Sequence, residues 1–138
     1  MSEISTEFLE RCITTFEKSY ELLMKSEEGS IDYEMYRNAL VKAFEMTLEQ
    51  SGKLLRKKIT PYFSTKKSAD TLVFKDLFRS GVRYGLLSQD EVERWLKYRD
   101  NRNNTAHDYG QKFAQETLSF IKDFIKDAKN LKKAIDNE

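Results

Sequence analysis

Apolar residues recur at spacings of three and four along most of the chain, the repeat of one face of an α-helix. From about Ser5 to Lys25 the stripe is Phe8, Cys12, Phe16, Tyr20 and Leu23, and Glu28-Gly29-Ser30 then makes a turn. From about Asp32 to Ile59, Tyr36, Leu40, Ala43, Phe44, Thr47, Leu48, Ser51 and Leu55 trace a second buried face. A bend or an end near Ser51-Gly52 stays open. Pro61 stops this helix, because proline lacks an amide and its ring clashes with the preceding turn. Residues 62–70 (YFSTKKSAD) form the only long polar connector. A third helix is expected from about Thr71 to Tyr84, burying Phe74, Leu77, Phe78 and Val82, with Gly85 suited to its C-terminal cap. Ser88-Gln89-Asp90-Glu91 is a capping box that opens a fourth helix, with Val92, Trp95 and Leu96 facing inward and Arg99 one turn on. The last helix is expected from about Gln111 to Ala134 along Ala114, Leu118, Ile121, Ile125, Ala128 and Leu131.

No segment alternates apolar and polar residues over a convincing length, and five Gly and one Pro leave few helix breakers. The expected fold class is all-α: an up-and-down bundle of four to five antiparallel helices joined by short connections. The 138 residues leave no room for a second full core, so one domain spanning 1–138 is expected. Aromatics beyond the main stripes (Tyr33, Tyr62, Phe63, Tyr98, Phe120 and Phe124) need a partner or stay exposed, which points towards a homodimer.

Composition narrows the chemistry. Cys12 is the single cysteine and there is one His, which excludes an intrachain disulfide, a Cys-based metal site and any site needing two His from one chain. No metal and no cofactor are expected. No apolar run approaches a membrane span, and the N-terminus is acidic where a secretory signal would be basic, so the cytoplasm is the simplest expectation. The near-neutral total of +1 hides a dipole. Residues 1–50 hold eleven acids and five bases, whereas residues 51–138 hold twelve acids and nineteen bases. The basic stretch 51–69 reads either as a solvated helix face with a flexible loop or as a patch that tracks phosphates.

Any chemistry lies in Arg99-Asp100-Asn101-Arg102-Asn103-Asn104-Thr105-Ala106-His107-Asp108-Tyr109, a polar run that interrupts two clean helical patterns. Arg102 offers a phosphate a permanently charged, planar fork of donors. His107 titrates near neutrality and can take or give a proton. Five residues apart on one helix they would be poorly aligned, but a break near Asn104-Thr105 would bring both to one cleft. Cleaving RNA without a metal needs those two abilities: a base for the ribose 2′-hydroxyl and a cation for the charge on phosphorus. Asn103 would orient either group. The plain alternatives are a capping histidine and a packing tyrosine at Tyr109.

Arg102-Asn103-Asn104-Thr105-Ala106-His107-Asp108-Tyr109 resembles the R-x4-H-x-Y signature of the HEPN superfamily, HepT-type toxins included. The order Gly85-Leu86-Leu87, Trp95 and then Arg102-Asn103 through Tyr109 is similar to the nucleotidyltransferase substrate-binding-protein branch. Phe44-Glu45-Met46-Thr47-Leu48-Glu49 resembles that branch's F-E-x-x-x-E segment, so the likeness spans about residues 8–130. The resemblance implies a symmetric dimer whose two motifs line one cleft, with a cognate minimal nucleotidyltransferase as partner. It implies a metal-independent ribonuclease with RNA as substrate, Arg102 and His107 catalytic, and Asn103 in support. Tyr109 would be the site at which the partner adds AMP and neutralises the toxin. Lys57, Lys58, Lys66 and Lys67 are the candidate RNA contacts. The alternatives are a non-catalytic binding subunit of a nucleotidyltransferase complex and a helical adaptor whose polar run is only a turn.

Overall fold

The computed structural model describes the backbone of residues 4–105 and 120–137, and the side chains of all of these except 103–105. The described residues contain six α-helices and no strand: α1 (Glu7–Lys25), α2 (Ile31–Ile59), α3 (Lys66–Asp70), α4 (Phe74–Arg83), α5 (Gln89–Thr105) and α6 (Ile121–Asp136). The fold class is all-α as the periodicity predicts, with one more short helix than expected.

α1 and α2 form a hairpin. Gly29 turns the chain at φ +90°, and the Ser30 hydroxyl accepts the Tyr33 amide at 3.0 Å to cap α2. The packed face of α1 is Leu9, Cys12, Ile13, Phe16 and Leu23. Phe8 falls outside it and is 49% exposed, so the stripe is centred one residue later than predicted. Burial pushes the Cys12 thiol up, which leaves it a small hydrophobe. α2 runs unbroken past Ser51-Gly52 and ends at Ile59, where Thr60–Tyr62 winds on as a 3-10 turn containing Pro61. At Gly52 the missing side chain has a use: the rings of Phe74 and Phe78 lie 3.9 Å from where a Cβ would sit, so α4 packs close.

The connector 62–70 is not a plain loop. Lys66–Asp70 makes a short helix, capped where the Thr65 hydroxyl accepts the Ser68 amide at 3.1 Å. Ala69 is fully buried, and Arg56 Nη1 donates to its carbonyl at 2.6 Å, tying α3 to α2. α4 then begins at Phe74 rather than Thr71, because Val73 is extended. Its end is the predicted glycine cap. Gly85 sits at φ +76°, the Leu86 amide donates to the Gly81 carbonyl at 2.8 Å and the Gly85 amide to Val82 at 3.1 Å. Gly85→Ala is therefore expected to cost about 1 kcal/mol, the penalty of a Cβ in the left-handed region. Urea unfolding reads it, and an unchanged midpoint would refute the strain. The capping box is formed as the sequence implies, with the Ser88 amide donating to Glu91 at 2.9 Å and the Glu91 amide to the Ser88 hydroxyl at 3.1 Å.

α6 closes the bundle. The Thr6 hydroxyl donates to Asp136 at 2.7 Å, and Lys129 pairs with Glu17 at 3.1 Å, so α6 runs antiparallel to α1. It begins at Ile121, after Phe120 at the non-helical φ of −126°, so the single helix expected from Gln111 is interrupted there; residues 111–119 lie outside the described residues. Its end is Asp136, two residues past the predicted Ala134.

A chain of rings crosses the core from α1 to α4. Centroids are 6.2 Å apart for Phe16–Phe44, 4.7 Å for Phe44–Phe124, 5.8 Å for Phe124–Trp95, 5.1 Å for Trp95–Phe78 and 4.3 Å for Phe78–Phe74. Such pairs add about 0.5–1.5 kcal/mol each beyond the area they bury. Two aromatics expected to be spare are inside: Tyr98 and Phe124 are buried. Tyr62 stacks on Tyr84 at 4.3 Å and Phe120 packs on Phe44 at 5.9 Å. The argument for a homodimer from spare aromatics thus loses Tyr98 and Phe124, while Tyr62 stays 58% exposed. Among the described residues no helix is long and apolar enough to cross a membrane.

Candidate functional site

α5 carries the motif arginine, and its inner face is locked in two ways. Trp95 is fully buried among Phe78, Phe124 and Tyr98. With the residue just before it and the one three residues on, α5 grips a carboxylate of α6. Asp127, 1% exposed, accepts Arg94 Nε at 2.8 Å and Nη2 at 2.9 Å, and the Tyr98 hydroxyl at 2.6 Å. The fork of two parallel bonds is the strong form of an arginine–carboxylate pair. Hydrogen bonding to Asp127 pushes the Arg94 guanidinium above its ordinary range. Burial, and then the bond to Asp127, pushes the Tyr98 phenol up, so it stays a neutral donor. A carboxylate in a dry seam thus has three donors, which is what a buried charge requires.

Further along α5, towards its C-terminal end, the helix borders a groove of about 560 Å³. Its apolar lining is Leu48 from α2, Leu72 and Val73 from the extended turn, and Phe74 and Leu77 from α4. Its charged lining is Lys53 and Arg56 from α2, Arg99 and Arg102 from α5, and the acid Glu49. Spacing explains the gathering. Arg99 and Arg102 are three residues apart on one helix, and so are Lys53 and Arg56, so each pair shares a face. The Arg99 guanidinium lies over the Phe74 ring, 4.7 Å from its centroid, and its buried Nε makes no hydrogen bond. Four cations against one acid beside an apolar wall suit an anion that carries a flat apolar body.

Of the predicted catalytic residues, Arg102 is half-buried and lines this groove. Asn103 lies on the last described turn of α5, with its side chain outside the described residues. His107 and Tyr109 lie outside the described residues, as does the stretch after Thr105 in which a break would turn the chain. None of the four candidate lysines lines the groove. Lys58 donates to the Asn137 carbonyl at 2.5 Å and Lys66 pairs with Asp70 at 2.8 Å, while Lys57 and Lys67 are exposed. The groove cations absent from the predicted site are Lys53, Arg56 and Arg99. Arg99 opens the polar run in which the sequence places any chemistry, but is given no role there; α2's contribution depends on tertiary packing. No three His, Cys, Asp or Glu side chains among the described residues come together in a way that could hold a metal ion.

Comparison with known proteins converges on one group. Residues 6–137 match the family described as nucleotidyltransferase substrate binding protein like. A protein named probable ribonuclease HepT, from Haemophilus influenzae, is 31% identical over 85 residues. That match covers 62% of this chain and 57% of the relative, so it spans little more than half of that protein's length. A solved structure, also from Haemophilus influenzae and described as the fold of a substrate binding domain of a nucleotidyltransferase, superposes with a TM-score of 0.81. It is 22% identical and covers 96% of this chain and 100% of its own, which is a likeness of fold.

Proposed function

Since the chain belongs to the nucleotidyltransferase substrate binding protein like family, we propose that it acts as a metal-independent endoribonuclease through its Arg102-x4-His107 run. The observation that carries this reading is the position of Arg102 in a groove with three further cations and one acid. The similarity to a probable ribonuclease supports it. In the proposed step His107 takes the proton of a ribose 2′-hydroxyl, and that oxygen attacks the adjacent phosphorus. The bond to the 5′ oxygen breaks, and the leaving oxygen receives the proton from His107. One product ends in a 2′,3′-cyclic phosphate and the other begins with a 5′-hydroxyl. Arg102 meets the charge that builds on the non-bridging oxygens, where a pre-placed cation is worth most. Asn103 orients the phosphate.

In the same reading the protein is a toxin that works as a homodimer in the cytoplasm, and a cognate minimal nucleotidyltransferase is its antitoxin. The Tyr109 hydroxyl attacks the α-phosphorus of ATP held by that partner, pyrophosphate leaves, and AMP stays on the tyrosine. Negative charge two residues from His107 then repels and blocks RNA. A second reading, favoured by the family description and by the fold neighbour, is a non-catalytic subunit that presents a substrate to the nucleotidyltransferase.

The test is incubation of the protein, purified without its partner and with Tyr109 shown unmodified by mass spectrometry, with RNA in EDTA. Cleavage to 2′,3′-cyclic phosphate and 5′-hydroxyl ends is the expected result. Cleavage that EDTA abolishes, or products with 3′-hydroxyl ends, would overturn the mechanism. Intact RNA together with tight copurification of the nucleotidyltransferase would favour the second reading.

A further inference from the structure

We propose that the groove between α2, α4 and α5 is a binding subsite for the nucleotide next to the scissile phosphate of single-stranded RNA, with Arg99 as its positioning residue. The inference takes its substrate from the ribonuclease reading and assigns residues that reading does not use.

Two properties of the groove select the ligand. Two of its cations have no acid beside them. Lys53 and Arg99 form no ion pair among the described residues, and Glu49 is the only acid among the described residues of the lining. The groove also exposes an apolar wall, with Val73 64% exposed beside the half-buried Phe74. A phosphate alone would leave the apolar wall wet, and an apolar ligand alone would leave the cations unanswered. A nucleotide matches both, with its phosphate towards Arg99, Arg102 and Lys53 and its base against Val73 and Phe74. Single-stranded nucleic acid is bound elsewhere by this combination of aromatic or arginine platforms and a cationic track.

Arg99 links the two halves. It is half-buried, has no carboxylate partner, and its guanidinium is held 4.7 Å over Phe74 by a ring that is itself stacked on Phe78 at 4.3 Å. A guanidinium so fixed loses little freedom when it meets a ligand, and it presents a planar face for a base or a fork for a phosphate. Arg102 lies three residues on along the same helix face. A nucleotide held at Arg99 therefore delivers its neighbouring phosphate to Arg102.

The experiment is fluorescence anisotropy with a labelled 2′-O-methyl oligoribonucleotide, which cannot be cleaved because its 2′ oxygen is blocked. Wild type, Arg99→Leu, Arg99→Lys, Lys53→Gln and the charge-matched surface control Lys126→Gln are compared across salt concentrations. Arg99→Leu is expected to weaken binding about 10- to 100-fold, with Arg99→Lys recovering part of it. Lys53→Gln should weaken binding several-fold and reduce the slope of log K against log salt by about 0.7. Lys126→Gln should change neither by more than its single charge explains. Thermal unfolding confirms that the variants are folded, and Arg99→Lys keeps the test usable if the leucine variant is not.

Wild-type affinity in Arg99→Leu, losses equal to that of Lys126→Gln, or no wild-type binding would overturn the subsite. Displacement of the oligonucleotide by stoichiometric AMP would overturn the assignment to RNA and move the groove to a free nucleotide. The ribonuclease reading fails separately, through uncleaved RNA in EDTA, whereas the subsite is read by binding to an uncleavable strand.

Discussion

Arg94→Ala is expected to destabilise the protein by about 3 kcal/mol, more than Asp127→Ala. The order follows from which charge is left behind. Without Arg94, a carboxylate that is 1% exposed keeps only the Tyr98 hydroxyl in the seam between α5 and α6. Without Asp127, the arginine side chain is already 39% exposed and recovers water, so the loss is mainly the unpaired Tyr98 hydroxyl. That places Asp127→Ala at about 2 kcal/mol. For a chain of this size 3 kcal/mol lowers the unfolding midpoint by roughly 10 °C. Calorimetry on both single variants and the double variant decides it. The double variant should fall short of the sum, since either single change already breaks the pair. Asp127→Ala proving the more damaging would mean that the carboxylate is better hydrated than its burial implies.

His107→Ala and Arg102→Ala are expected to lower RNA cleavage by about 10²–10⁴-fold and 10²–10³-fold respectively. The first figure is the usual contribution of a positioned proton carrier, the second that of one group aimed at developing charge. Arg102→Lys should recover only part of the loss, because an ammonium keeps the charge but not the fork. Single-turnover cleavage in EDTA reads all three, with unfolding midpoints alongside. Unchanged rates in either alanine variant would sink the proposed catalytic roles.

The long helices were legible because their buried faces repeat locally. On α2, Leu40, Ala43, Phe44, Thr47, Leu48, Ser51 and Leu55 are all buried where the repeat puts them. The caps at Gly85 and Ser88 were legible for the same reason, each being a four- to six-residue event. What escaped the sequence is what distant segments do to each other. α3 is too short to show a period, and a hydrogen bond from Arg56, thirteen residues before Ala69, helps hold it. Phe124 and Tyr98 looked surplus beside their own stripes, yet they are buried where α5 meets α6. Asp127 interrupts an apolar face because its partner lies 33 residues upstream. Within the candidate site, the residue types around Arg102 pointed to phosphate chemistry from the sequence alone. The groove's α2 cations, Lys53 and Arg56, became visible as part of it only once α2 was laid against α5.

The ring chain through the core has an optical consequence. Trp95 is the chain's one tryptophan, it is fully buried, and its indole N–H makes no hydrogen bond. Emission excited beyond the tyrosine band is therefore a single-residue signal from an indole without a polar partner, and it belongs at the blue end of the tryptophan range. It will shift red when α5 parts from α6 and Phe124, and fraying at the tip of the α1–α2 hairpin will leave it unmoved. The wild-type protein thus carries an unlabelled optical probe of the helix on which Arg99 and Arg102 sit.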